Sequence, residues 1–425
     1  MKKALFIFLA LGIFSLIPLI LVEVGMRILA EPKPEKLYED VNQRPVTFSD
    51  DLGMVFAPRQ KTTRSNGYDY HVTQFTNNFG FLDKDRKLEK EEGTFRILVL
   101  GDSYVEAVQV GVPQKFHSLL EGFLNNSTPP KKVECIALGF SGMGTSNQLL
   151  FYENLGRKFK ADLVVYLFIA NDFWNNSPTI HGICEGWHPA KGPRFFLELD
   201  HNTNNIVTFP PARDYSRYMI PTSPVPKMVN KPLPTDALLS WSMLYQESRS
   251  TLKNYFQQSE RESIIDSLMT QRIKFLRKND KFFGPKLEGW NYPDDLSPQA
   301  MFYAESMPRV FNEALNLTDI ALKQLKSKVE RDGAQLIMAT GPFCTDLKMT
   351  GEKKGRKVSP TKLSDRIQTL ATKNEIPLIN LYENFLKHGE IKETRWPRDG
   401  HFNLKGHRLT ALALRDHILE NKLLR

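Results

Sequence analysis

From residue 95 onward, hydrophobic positions alternate between short, wholly apolar runs and stretches with helical period. Ile97 to Leu100, Val133 to Leu138, Leu163 to Ile169, Gln335 to Ala339 and Ile376 to Leu381 read as strands buried on both faces. Pro113 starts a helix whose inward face is Phe116, Leu119, Leu120, Phe123 and Leu124. Thr145-Ser146-Asn147-Gln148 fits a capping box and leads a second helix carrying Leu149, Tyr152 and Phe159 inward. A third helix is predicted from Pro308 to Asp332, with Leu315, Leu322, Leu325 and Val329 as its stripe and Gly333 as its stop. Ser359-Pro360 opens another, with Leu363, Ile367 and Leu370 inward, and residues 404–422 close the chain as a helix capped by Asn403. Such alternation implies an α/β fold with a parallel sheet covered on both faces. Pro377 removes a ladder donor, which places the last strand at an edge.

Two regions depart from this rhythm. Residues 31–94 are polar and turn-rich, with a β-type segment from Val72 to Phe81 that ends in Asn/Gly punctuation. Residues 173–306 are rich in proline and aromatics, with a hairpin expected at Phe195 to Leu199 and Ile206 to Phe209 and a helix near Ala237 to Phe256. This insertion leaves the core just after Asn171, so it is expected to cap a site at that edge of the sheet and to supply selectivity. The chain therefore divides into 1–30, a membrane anchor; 31–94, an extension; 95–172, the first half of the α/β domain; 173–306, the insertion; and 307–425, the second half.

The anchor follows from the first residues. Met1-Lys2-Lys3 precedes an uncharged stretch from Ala4 to Val22, close to the ~20 residues that cross a bilayer. The lysines favour a cytoplasmic amino terminus, which puts the rest of the chain outside the cytoplasm as a single-pass membrane protein. A cleaved signal peptide is the rival, but the stretch exceeds the usual h-region and no Ala-x-Ala site follows it.

With 425 residues, 41% of them hydrophobic, the chain can bury a large core. Its net charge of +9 raises nucleic acid as a partner, yet no basic stripe interleaved with aromatics and no finger or RNA-recognition signature is present. The densest basic cluster, Lys353-Lys354-Gly355-Arg356-Lys357, reads as a solvated loop between a strand and a helix. Three cysteines are too few for a disulfide scaffold. Cys135 reads as a core residue, while Cys184 and Cys344 both follow predicted strands and could pair in an oxidising compartment.

The chemistry gathers at strand ends. Ile97 to Leu100 run into Gly101-Asp102-Ser103, Val133 to Leu138 into Gly139-Phe140-Ser141-Gly142-Met143-Gly144, and Leu163 to Ile169 into Ala170-Asn171-Asp172; Asp399-Gly400-His401-Phe402-Asn403 stands near the carboxyl terminus. Open α/β sheets bind ligands at that edge. A serine hydroxyl needs a base to act as a nucleophile; His401 is a candidate, with Asp399 to orient its ring, and taken alone it reads equally as a histidine in the turn before the last helix. Asp102 reads as a residue of the nucleophile turn, Asp172 as a cap for the loop after Asn171, and His407 as structural. His181, His188 and His201 lack metal-binding spacing, and no dinucleotide fingerprint or phosphate loop is present, so no cofactor or metal is expected.

The order Ser103, Gly142, Asn171, His401 resembles the SGNH (GDSL-type) hydrolase superfamily over residues 95–172 and about 307–425. That resemblance implies a flavodoxin-like α/β/α sandwich. It also implies a catalytic triad of Ser103, Asp399 and His401, and an oxyanion hole made by the backbone N–H groups of Ser103 and Gly142 and the side chain of Asn171. The chain departs from the commonest pattern with Ala170 before the asparagine and with Asp-x-His in place of Asp-x-x-His; the latter also occurs in the polysaccharide O-acetyltransferase branch. The resemblance thus implies a serine ester hydrolase acting on an acyl ester through an acyl-enzyme. An O-acetyltransferase with a carbohydrate acceptor and a membrane-bound acyltransferase partner, or a catalytically silent glycan-binding member, stay open beside it.

Overall fold

The computed structural model describes residues 18, 20–24, 37–127, 131–184, 194–200, 203, 205–211, 287, 289–292, 294–341, 349–389 and 391–424. Contacts divide the chain into two units, residues 1–35 with 222–271 and residues 36–221 with 272–425. The first unit falls almost wholly outside the described residues, and with it most of the anchor expected at Ala4 to Val22 and the helix expected near Ala237 to Phe256. Among the described residues no helix is long and apolar enough to cross a membrane.

The second unit begins with five short strands, β1 (Asp40–Gln43), β2 (Val46–Ser49), β3 (Gly53–Phe56), β4 (Lys61–Asn66) and β5 (His71–Phe75). β1, β4 and β5 form an antiparallel sheet in that order, and β2 pairs with β3. The chain leaves β5 through a turn in which the Asn77 Oδ1 accepts the N–H groups of Phe79 and Phe81, both at 2.9 Å. The side-chain amide mimics a backbone turn there, which is the physical content of the Asn/Gly punctuation.

The α/β domain opens with β6 (Thr94–Gly101), the short helix α1 (Ser103–Glu106), α2 (Phe116–Asn126) and β7 (Lys132–Gly139). Next come α3 (Thr145–Asn154), β8 (Leu163–Phe168), α4 (Pro178–Cys184) and the hairpin β9 (Phe196–Asp200) with β10 (Asn205–Phe209). The carboxyl-terminal part adds α5 (Arg309–Arg331), β11 (Gln335–Thr340), a hairpin of β12 (Gly351–Lys353) and β13 (Arg356–Val358), and α6 (Lys362–Lys373). It ends with β14 (Leu378–Asn380), α7 (Leu381–Leu386) and α8 (Leu404–Glu420).

The central sheet runs β14-β11-β8-β6-β7, and every neighbouring pair is parallel. Counted along the chain, this is the doubly wound 2-1-3-4-5 order, with its switch point between β6 and β8. One face buries Ile97, Val99, Cys135, Val165 and Leu167 against Phe116, Leu120 and Leu124 of α2 and Leu409 and Leu414 of α8. Because successive side chains in a strand alternate sides, Leu98, Leu100, Val164 and Tyr166 are buried on the other face. The strand predicted at Ile376 to Leu381 is present as the shorter β14, just after Pro377, and lies at the sheet edge.

Edge strand β7 is paired on its outer side by side chains. Asn125 bonds both the N–H and the C=O of Val133 at 2.9 Å. Glu121 Oε2 accepts the Cys135 N–H at 2.9 Å, Arg86 donates to the Cys135 carbonyl, and Asp83 Oδ2 accepts the Ala137 N–H at 3.2 Å. Arg86 in turn bridges Asp83 (2.9 Å) and Glu121 (3.1 Å), so an ion-pair network joins the extension to α2 and β7.

Three expectations are corrected. Thr145 does not cap α3: Gly144 is the N-cap, the Thr145 hydroxyl meets the Tyr166 hydroxyl at 3.0 Å, and Gln148 turns away to the end of β6. Pro113 sits in a 3₁₀ turn, Val112–Gln114, and α2 starts only at Phe116. The basic cluster at Lys353 to Lys357 is largely solvent-exposed but is not a loop; it forms the β12–β13 hairpin, in which Arg356 pairs with Asp295 at 2.6 Å. The predicted hairpin in the insertion is present as β9–β10, and Leu197 packs on Leu317 and Ala321 of α5. The stretch from 212 to 286, the bulk of the expected cap, lies outside the described residues, as do Cys344, His188 and His201.

Candidate active site

Ser103, Gly142 and Asn171 follow β6, β7 and β8, so all three sit at the carboxyl edge of the sheet around its switch point. The end of β6 is held by Gln148, whose amide accepts the Gly101 N–H (3.1 Å) and donates to the Gly101 carbonyl (3.0 Å). Asp102 caps α1 by accepting the Tyr104 N–H at 3.0 Å, which turns the chain sharply and sets Ser103 on the first turn of that helix.

His401 reaches Ser103 from the far end of the chain. Its Nε2 lies 2.9 Å from Ser103 Oγ, and its Nδ1 lies 2.5 Å from Asp399 Oδ1. An ionised carboxylate only accepts, so Nδ1 carries the proton, Nε2 is an acceptor, and the serine hydroxyl donates to it. Burial works to raise the Asp399 carboxyl, but the hydrogen bond and charge of His401, and then the Tyr70 hydroxyl, hold it below the usual carboxylate range. The Asp-x-His spacing closes because Gly400 adopts φ +83°, a left-handed conformation that glycine takes without steric cost. The loop is tied on both sides by Trp396, whose N–H donates to the His401 carbonyl and whose carbonyl accepts the Gly400 N–H, each at 2.9 Å.

Four side chains that the sequence did not reveal brace this arm. Tyr70 donates to Asp399 Oδ2 at 2.8 Å, and Gln109 Nε2 to Oδ1 at 3.0 Å. Arg395 donates to the Gly400 carbonyl and to the Tyr104 hydroxyl, both at 2.6 Å. The Tyr104 ring packs on the His401 ring with centroids 4.8 Å apart. Gln109 and Tyr104 lay close behind the serine in the sequence, but nothing in the composition of β4 and β5 marked Tyr70.

On the opposite side, Asn171 Nδ2 donates to Asp102 Oδ2 at 2.9 Å, and the same oxygen lies 3.2 Å from Ser103 Oγ. Asp102 is 1% exposed, and this burial pushes its carboxyl up despite the N–H of Tyr104 and the amide of Asn171. Gly142 has φ +72°, and its carbonyl accepts Arg194 Nη1 at 2.5 Å. Its neighbour Ser141 donates both its N–H and its hydroxyl to Glu106 Oε2 at the end of α1, which ties the Gly142 loop to the helix that carries Ser103. Glu106 is fully buried and paired with Arg44 at 2.6 Å. Lys115 Nζ, also fully buried, donates to the carbonyls of Glu106 (2.7 Å) and Leu82 (2.8 Å); burial brings its ammonium down to about 7, against the opposing pull of Glu106 and Asp83.

Of the other residues singled out, Asp172 is buried and accepts the Ile169 N–H at 2.7 Å, so it caps backward onto the strand end. His407 is a core residue that accepts the Phe116 N–H at 3.3 Å, with burial pushing its protonated form well out of range. Among the described residues no cluster of three or more His, Cys, Asp or Glu could hold a metal ion.

Ser103, Asn171, Gly142 and His401 are each partly exposed in walls that are otherwise largely buried. The arrangement can deprotonate a serine hydroxyl facing solvent and present an uncharged donor beside it.

No protein-family model matches the chain, and no curated protein matches it. Among solved structures it is similar to TesA, at 11% identity and TM-score 0.36 over 76% of this chain and 97% of that one. An acetyl xylan esterase, AlAXEase, is 13% identical at TM-score 0.36 over 76% and 100% of the two chains. A lipase/acylhydrolase from Enterococcus faecalis is 11% identical at TM-score 0.36 over 77% and 96%.

Proposed function

We propose that the chain is a serine ester hydrolase of the SGNH type that forms an acyl-enzyme on Ser103. The observation that carries this reading is the hydrogen-bonded chain Ser103–His401–Asp399 at the switch point of the sheet, with Asn171 beside the serine. His401 Nε2 takes the hydroxyl proton as Oγ bonds to the ester carbonyl carbon, and the imidazolium is stabilised by Asp399. Negative charge collects on the carbonyl oxygen, where the N–H groups of Ser103 and Gly142 and the amide of Asn171 receive it. Asn171 donates one of its two amide hydrogens to Asp102, which orients the other for this task. Collapse expels the alcohol, which takes the proton from His401. Water, deprotonated by the same histidine, then releases the acid.

The apolar stretch from Ala4 to Val22 supports a single-pass anchor with the site outside the cytoplasm. The Asp399-Gly400-His401 spacing supports a second reading, in which a sugar hydroxyl replaces water in the last step. A fluorophosphonate probe and an aryl acetate test the proposal together: the wild type is expected to be labelled and to release acetate, and Ser103→Ala to do neither. Failure of the wild type to label on any serine overturns the reading in favour of a silent member. Acetyl transfer to an added glycan, at the expense of free acetate, decides for the second reading.

A further inference from the structure

We propose that the N-terminal extension belongs to the catalytic apparatus, with Tyr70 as a positioning residue whose hydroxyl fixes the Asp399 carboxylate in the orientation His401 requires. This rests on the reading of Ser103 as the nucleophile. A carboxylate held at one oxygen can still swing about its Cβ–Cγ bond; held at both, it cannot. Asp399 is held at Oδ1 by His401 (2.5 Å) and Gln109 (3.0 Å), and at Oδ2 by Tyr70 (2.8 Å). Tyr70 is only 4% exposed, and its ring packs on Trp396 with centroids 5.7 Å apart.

The surrounding contacts make one body of the β4–β5 loop and the triad loop. Asp69 Oδ2 accepts the Arg398 N–H at 3.1 Å, and the Arg398 guanidinium lies 3.7 Å over the Tyr68 ring. Burial, followed by the contact with Asp399, pushes the Tyr70 hydroxyl well above its ordinary range, so it remains a donor at any working pH. The charged groups facing the pair are His401, Arg64 beside Tyr70, Arg395 on the Gly400 carbonyl, Arg398 next in the chain, and Asp102 across the serine. Of these, His401 acts on Asp399 directly, and Tyr70 is the partner the extension adds.

The test is the pH dependence of Ser103 labelling by a fluorophosphonate, measured on the full chain. Tyr70→Phe keeps the ring and removes the hydroxyl. It is expected to label about tenfold more slowly, since a hydrogen bond to a charged group is lost. The acidic limb of its rate profile should move to higher pH, because a carboxylate with one donor fewer draws the imidazole proton more strongly. Replacing Tyr70 with 3-fluorotyrosine, a stronger donor of nearly the same shape, should move the limb to lower pH, and it tests the inference even where the phenylalanine variant misfolds. A labelled wild type with both limbs unmoved overturns the role of Tyr70 while leaving the nucleophile intact. An unlabelled wild type removes the nucleophile reading, and this inference with it.

Discussion

Both arms have backbone tied by a guanidinium, Arg395 on the Gly400 carbonyl and Arg194 on that of Gly142, but they differ in what else surrounds the groups proposed to act. At the triad arm, the Asp399 carboxylate is surrounded by neutral donors, Tyr70 and Gln109, besides the histidine it serves. At the oxyanion arm, charged groups hold the backbone: Glu106 on the Ser141 N–H, Arg194 on the Gly142 carbonyl, and Lys115 on the Glu106 carbonyl. The difference follows from what each arm supplies. In the proposed mechanism the charge of Asp399 is itself part of the chemistry, and neutral donors orient it without cancelling it. Oxyanion donors are peptide dipoles that must be aimed before any charge appears, and ionic groups hold them rigidly. Their own charges are contained, since Glu106 is paired with Arg44 and Asp102 is pushed by burial toward its neutral form.

Substitutions on the oxyanion arm should therefore lower turnover without moving the acidic limb that belongs to the triad arm. Asn171→Ala is expected to reduce kcat for an aryl acetate by a factor of ~10²–10³, the usual cost of one oxyanion donor. A loss as small as that of a surface substitution would show that Asn171 only braces Asp102. Glu106→Gln leaves the loop of Gly142 in place but weakens its tether to Ser141 and to Arg44. About a tenfold fall in kcat with an unchanged pH limb is expected, and a moved limb would mean that the two arms are coupled.

A further effect is on stability. Lys115 titrates near 7 in the folded chain and at its ordinary 10.5 when unfolded, so between those values the unfolded chain binds the extra proton. Stability then rises with pH across that window, at most by ~1.4 kcal/mol per unit, and the penalty is fully present below pH 7. Urea midpoints of the wild type and Lys115→Met, compared from pH 7 to 10, measure it. The variant should lack this part of the slope.

Strands and the residues at their ends were legible because a strand buried on both faces must be apolar throughout: Ile97 to Leu100 and Leu163 to Phe168 admit no other reading. Ser103 and Asn171 stood out for the same reason, as polar residues that end such runs at one edge, whereas Asp399 and His401 follow no strand and were joined to them only by the family resemblance. What stayed hidden were the braces. Tyr70 and Asp399 are 329 residues apart, and Arg44 and Glu106 are 62 apart. A tyrosine in a polar hairpin and a buried glutamate leave no local periodicity, since their partners exist only once the fold has closed. Gln148 misled for a related reason: its spacing suits a capping box, but its amide bonds the N–H and C=O of Gly101 at the end of β6.

The side chains along the outer rim of β7 also bear on how copies of the protein meet. An open sheet ends in a strand whose outward N–H and C=O groups invite a strand from another molecule. Here the N–H and C=O of Val133 and Cys135 and the N–H of Ala137 are already taken by Asn125, Glu121, Arg86 and Asp83. At the opposite rim β14 is short and follows Pro377. The β7 rim is thus guarded against edge-to-edge growth, and the ion pairs that dock the extension double as a guard against aggregation through the apolar strands of the central sheet.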